Sequence, residues 1–178
     1  MSKRQPRERG LTLIELLVTL SIAVILMTIA VPSFQDFFWR NRIESATSDL
    51  MGTLSYARSE AIRRGVRVSV CRSNTGTNCT TTEPWQFGWI VFTNPNNDNN
   101  VDTGEEILRV HQALPESITL NTDFTNRITY QSDGRITDNV GGSFYVCYDG
   151  TTANAPNARR IAVIGTGRAR VEDASTCS

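Results

Sequence analysis

The sequence predicts an α+β fold: one long N-terminal helix, hydrophobic in its first half and amphipathic in its second, packed on a mostly antiparallel β-sheet head. Three observations carry this expectation. Leu16 to Gln35 contains no charged residue. Beyond it Ile43, Ala46, Leu50, Leu54, Ala57 and Ala61 recur at steps of three and four, leaving Arg40, Arg42, Asp49, Arg58 and Arg63 off that stripe. From Val66 onward the apolar period falls to two, with turn residues between the short runs.

The N-terminus reads as a cytoplasmic basic flank followed by a membrane-length apolar run. Lys3, Arg4, Arg7 and Arg9 precede Gly10, and Leu11-Thr12-Leu13-Ile14-Glu15 follows it. Short basic flanks stay in the cytoplasm, so residues beyond about Gln35 are expected outside the inner membrane. An ordinary secretory signal places its small cleavage-site residue after the apolar core, whereas here Gly10 stands before it. Glu15 puts one acid inside the apolar run. A carboxylate at that depth costs about 2.5 to 3.5 kcal/mol on insertion scales, so it calls for a positive partner.

One helix over about Leu13 to Arg64, bent at Pro32, is the economical reading of the apolar run and the stripe together. Gly65 supplies the stop, because glycine readily takes the left-handed conformation just past a helix end. Six strands are then expected: Val66 to Cys71, Gln86 to Thr93, Glu105 to Gln112, Arg127 to Gln131, Ser143 to Asp149 and Arg159 to Ile164. Asn94-Pro95-Asn96-Asn97, Asp133-Gly134, Gly141-Gly142 and Asp149-Gly150 separate them as turns. A chain of 178 residues holds one such domain plus the anchor.

Cys71, Cys79, Cys147 and Cys177 are even in number and would face an oxidising compartment. Four cysteines allow three connectivities, which sequence alone does not decide. A zinc site is the competing reading, disfavoured because the chain has no Cys-x-x-Cys pair and a single histidine, His111. Asp98-x-Asn100-x-Asp102 imitates the start of a calcium loop, but Thr103 replaces the expected glycine and Arg109 stands where a bidentate Glu belongs. Gly165-x-Gly167 lacks the Lys-Ser/Thr pair of a phosphate loop, and His111 has no nucleophile at a diagnostic spacing. The chain therefore reads as non-enzymatic, with no cofactor and no metal.

Gly167-Arg168-Ala169-Arg170 is the segment with binding chemistry in it. On an extended segment Arg168 and Arg170 share a face, about 6.6 to 7 Å apart, a spacing that bridges neighbouring phosphates of one nucleic-acid strand. Arg159 and Arg160 are candidate neighbours. The alternative is a set of solvated charges, in a chain with 17 arginines and one lysine.

Taken together the N-terminal residues resemble the type IV prepilin signal. Val70-Cys71-Arg72-Ser73 with Cys79, Trp85-x-x-Gly88-Trp89-Ile90-Val91-Phe92, the Asn/Asp-rich turn leading to Glu105-Glu106-Ile107-Leu108-Arg109, and Gly167-Arg168-Ala169-Arg170 before Cys177 resemble the GspH/FimT group of minor pilins and pseudopilins. That resemblance implies a type IV pilin-like fold in three parts: a leader peptide 1–10, a transmembrane and filament-core helix 11–35, and a head 36–178. It implies cleavage after Gly10 by a prepilin peptidase and methylation of Leu11, which departs from the commoner phenylalanine. Losing residues 1–10 would leave 14 basic against 17 acidic residues, a net charge of −3. It also implies that Glu15 pairs with the methylated terminus of a neighbouring subunit, in competition with the intrachain Leu11. Locality and the resemblance together favour Cys71–Cys79 and Cys147–Cys177, worth about 2.5 and 3.5 kcal/mol by loop entropy.

The implied location is the bacterial inner membrane, single-pass with a cytoplasmic N-terminus, and then the pilus. The implied partners are major and minor pilins, the prepilin peptidase and the inner-membrane assembly platform. Three functional readings follow. The first is a DNA receptor on an uptake pilus, carried by Gly167, Arg168 and Arg170. The second is a priming or tip subunit without a ligand, and the third is a type II secretion pseudopilin.

Overall fold

The computed structural model describes residues 12–137, 140–148 and 153–177, with the side chains of 29–36 and 153–157 left out. Gly10 and Leu11 lie outside the described residues, as does the side chain of Pro32, where the bend is expected. The chain divides into two compact units, Met1–Phe38 and Trp39–Ser178. A single helix, α1 (Leu13–Arg64), supplies residues to both.

Thr12 and Glu15 start α1 as a capping box. The Glu15 N–H donates to Thr12 Oγ1 at 3.3 Å and the Thr12 N–H to Glu15 Oε2 at 3.5 Å, so two of the first-turn donors have partners. Within the first unit the apolar side chains of Leu13, Ile14, Leu16, Leu17, Val18, Leu20, Ile22, Val24, Ile25, Leu26 and Met27 are at least half exposed. Among the described residues no helix is long and apolar enough to cross a membrane. The expected span 11–35 also includes Leu11 and residues 29–35, which fall outside that description. The helix ends at Arg64, and Gly65 follows with φ +69° and its N–H bonded to Ala61 O at 3.0 Å.

Among the described residues the second unit has eight strands in two antiparallel sheets. One sheet has the order β3 (Ile107–His111), β2 (Trp89–Thr93), β1 (Val68–Arg72), β5 (Arg127–Tyr130). The other has the order β4 (Ile118–Thr122), β6 (Gly142–Tyr148), β7 (Ala153–Val163), β8 (Ala169–Thr176). The helical stripe Ile43, Ala46, Leu50, Leu54, Ala57 and Ala61 is buried in one core with Val68, Val70, Val91 and Tyr130 of the first sheet and Ile118, Phe144, Val146 and Ile161 of the second. Trp85 meets Phe144 edge-on at 5.0 Å between ring centroids, an arrangement that the ring quadrupoles favour.

Strand β1 departs from simple alternation: Val68, Ser69, Val70 and Cys71 are all buried, and Val66 is exposed. The cause is a second small core on the far face, where Cys71 packs with Ile90 and Phe92. Buried Ser69 is satisfied there by Thr129 Oγ1 at 2.7 Å and Asn94 Nδ2 at 2.9 Å. Two strands were not expected from the sequence. Ile118–Thr122 buries only Ile118 and Leu120, too short a pattern to stand out, and Ala169–Thr176 buries no residue fully, so no apolar period announces it. Cys71 is bonded to Cys79, and Cys147 on β6 is bonded to Cys177 just past β8.

Candidate nucleic-acid interface

The Gly167-Arg168-Ala169-Arg170 segment forms the exit of the β7–β8 turn and the start of β8. The turn is closed by Gly167 N–H to Ile164 O at 2.8 Å and Ile164 N–H to Arg168 O at 3.0 Å. Gly167 has φ +79°, and a Cβ there would come within 1.9 Å of Gly134 O. Only glycine fits this close approach of two turns. The helix fastens both turns: Arg58 Nε donates to Gly134 O at 2.9 Å and its Nη2 lies 3.5 Å from Thr166 O. Arg58 carries no signal in the sequence beyond its place off the apolar stripe.

Strand geometry then sorts the four candidate arginines. Side chains on successive strand residues point to opposite faces. Arg168 and Arg170 are both exposed and two apart, so they share one face. Register pairs Arg160 with Glu172 and Ala162 with Arg170, which brings Arg160 to that same face. Arg159 is on the other face, where it is held by Glu44 of α1 at 2.6 Å and by Asp173 at 2.9 Å. The expected neighbour Arg159 is therefore separated from the set, because one residue of strand reverses the direction of the side chain.

Charge within the outer set is partly compensated. Glu172 pairs with Arg170 at 2.6 Å and with Arg160 at 3.2 Å, which leaves three cations against one carboxylate, a net +2. Among the described residues Arg168 has no ion pair, and the Arg170 side chain is 71 % exposed. Such a face offers guanidinium groups to anions, and guanidinium contacts to phosphate carry no sequence information. Glu172 was missed at the sequence level, although its place two residues after Arg170 on one face could have shown it.

Other candidate groups have structural roles. His111 stacks on Trp89 with ring centroids 3.9 Å apart and planes at 7°, and its Nε2 lies 3.6 Å from Asp49 Oδ2. In the loop joining β2 and β3, Asn96 Nδ2 donates to Asp98 at 3.1 Å and to Asp102 at 2.8 Å, and the Asn100 N–H donates to Asp98 Oδ1 at 2.9 Å. These carboxylates hold a turn.

With that geometry established, a family profile described as type II transport protein GspH matches residues 46–167. The chain belongs to the GspH family. A second profile, the prokaryotic N-terminal methylation motif, matches residues 5–31. The GspH-family chain is 32% identical over 103 residues to the pilin-like protein PilA1 of Thermus thermophilus, a match covering 58% of this chain and 59% of that protein. Its fold is that of the type IV minor pilin FimU of Pseudomonas aeruginosa, with TM-score 0.62 and 21% identity over 80% of this chain and 99% of FimU. It is also similar to the minor pseudopilin EpsH of the type II secretion system of Vibrio cholerae, with TM-score 0.51 and 12% identity over 74% of this chain and 96% of EpsH. The matched GspH residues end at Gly167, so Arg168 and Arg170 fall just beyond them.

Proposed function

We infer that this GspH-family protein is a minor pilin, cleaved after Gly10, methylated at Leu11 and assembled into a type IV pilus at or near its tip. There Arg168, Arg170 and Arg160 hold DNA without sequence preference. The observation that supports the DNA role most directly is the shared exposed face of Arg168 and Arg170, with Arg168 unpaired among the described residues. Two or three phosphates neutralised would give a log–log salt slope of about −1.8 to −2.7 on duplex DNA.

Duplex DNA titrated into the full chain in non-ionic detergent across a salt series tests this. The expected result is steep weakening with salt and a loss of more than about tenfold in the Arg168→Ala/Arg170→Ala double variant, since two charged hydrogen-bond donors are removed. Absence of binding at low salt sinks the DNA role.

A second reading, a pseudopilin of type II secretion or a ligand-free priming subunit, is favoured by the end of the GspH match before the arginines and by the likeness to EpsH. Under it the double variant assembles and functions as the unmodified protein does.

A further inference from the structure

A pocket of about 270 Å3 lies between the second half of α1 and the β7–β8 turn. Ser55 and Arg58 reach it from the helix, Tyr130 from β5 and Arg168 from the turn, and among the described residues no carboxylate lines it. Arg168 also lines a second hollow of about 340 Å3, shared with Arg170. It is therefore placed between the outer arginine face and the pocket.

The polar groups of this pocket are unusually underused. Tyr130 is fully buried, yet its hydroxyl has no hydrogen-bond partner among the described residues. Buried hydroxyls are nearly always paired, so an orphan lining a cavity points to a group that completes it. Burial pushes the Tyr130 hydroxyl pKa up, with the nearby Arg58 charge opposing, and the group remains a neutral donor at ordinary pH. Arg58 is oriented by its bonds to Gly134 O and Thr166 O, while its Nη1 makes no hydrogen bond among the described residues. Neither Arg58 nor Arg168 has an acidic partner among the described residues.

We propose that this pocket binds one tetrahedral oxyanion of the phosphate class, clasped between the guanidinium groups of Arg58 and Arg168 and completed by a hydrogen bond from the Tyr130 hydroxyl. Paired guanidinium donors match the oxygens of a phosphate in geometry as well as charge. The source is either free phosphate or a phosphate of a nucleic-acid strand. The inference shares only Arg168 with the DNA reading, because Arg58 and Tyr130 are not on the outer face of β8.

Isothermal titration of the full chain in non-ionic detergent with inorganic phosphate tests it, with sodium chloride at matched ionic strength as control. One saturable site is expected, weakened about tenfold or more in Arg168→Ala and in Tyr130→Phe, as for the loss of a bond to a charged group. Tyr130→Phe removes only the hydroxyl and leaves the ring packing, so it remains informative where Arg58→Gln disturbs the turn. Duplex DNA is then titrated into the phosphate-saturated protein. Displacement assigns the site to a strand phosphate and unchanged DNA affinity assigns it to free phosphate; both support the pocket. Failure of DNA to bind the phosphate-free protein at low salt sinks only the DNA role. No saturable phosphate binding, or equal affinity in the unmodified chain and both variants, overturns the proposal.

Discussion

Glu60 shows how a single side chain sets a pH response. It is buried at the end of α1, where Arg63 bonds it at 2.5 and 2.9 Å and Arg64 at 2.7 Å. These hydrogen bonds, Arg63 first, hold its carboxyl down to about 2 from an ordinary 4.5. A carboxyl whose folded-state pKa is depressed stabilises the fold above its unfolded value, and that contribution is lost as pH falls through the folded value. The window is therefore from pH 4.5 down to about 2. Thermal unfolding followed between pH 6 and pH 2 should fall more steeply in the unmodified chain than in Glu60→Gln; parallel curves would show that the arginine pairing has no part in acid sensitivity. Gly167 is the other residue-scale control point. Gly167→Ala must both adopt φ +79° and displace Gly134 O, so a loss of about 2 kcal/mol or more in urea unfolding is expected. Any loss of DNA binding in that variant would report the turn and not a missing contact.

At the scale of elements, the helix holds the head together through its stripe. Leu50 and Leu54 are fully buried on the seam between α1 and the sheets, so Leu54→Ala should cost about 2 to 5 kcal/mol, measured by chemical denaturation. The two disulfides act at different places. Cys71–Cys79 closes 8 residues beside β1, and Cys147–Cys177 ties the end of β8 to β6 across 30. Replacing the second pair by serine is expected to cost about 3.5 kcal/mol and the first about 2.5 by loop entropy. The larger effect should fall on β8, where amide exchange is expected to speed up while β1 and β2 stay protected. Equal exchange across both sheets would contradict this local assignment.

For the whole molecule the expected behaviour is assembly through the first unit and contact through the second. Glu15 lies in an exposed apolar run and is bonded only to Thr12 among the described residues. A lone carboxylate placed in lipid or in a filament core is penalised unless a cation meets it. Glu15→Ala should therefore insert in the membrane but be absent from sheared pili, as read by immunoblot of filament and membrane fractions. Normal incorporation would show that the capping box is its whole role. The double arginine variant should show the reverse, normal incorporation with loss of DNA capture.

The sequence by itself determined the features that repeat locally. The stripe from Ile43 to Ala61, the helix end at Gly65 and most of the strands are short-range patterns, and the order of basic flank, Gly10 and apolar run needs no tertiary context. What only the tertiary structure decided depends on partners far apart in the chain. The split into two sheets and strand β8 follow from long-range pairing, whereas the bonds Cys71–Cys79 and Cys147–Cys177 are the pairing that locality and the resemblance favoured. The same register fixes which arginines are free. Arg159 and Arg160 are adjacent in sequence, yet Glu44, 115 residues away from Arg159, neutralises one, while Glu172 binds the other to Arg170. Charge is legible in a sequence, but the charge a surface presents is set by what folding brings against it, because an ion pair depends on distance in space and not along the chain.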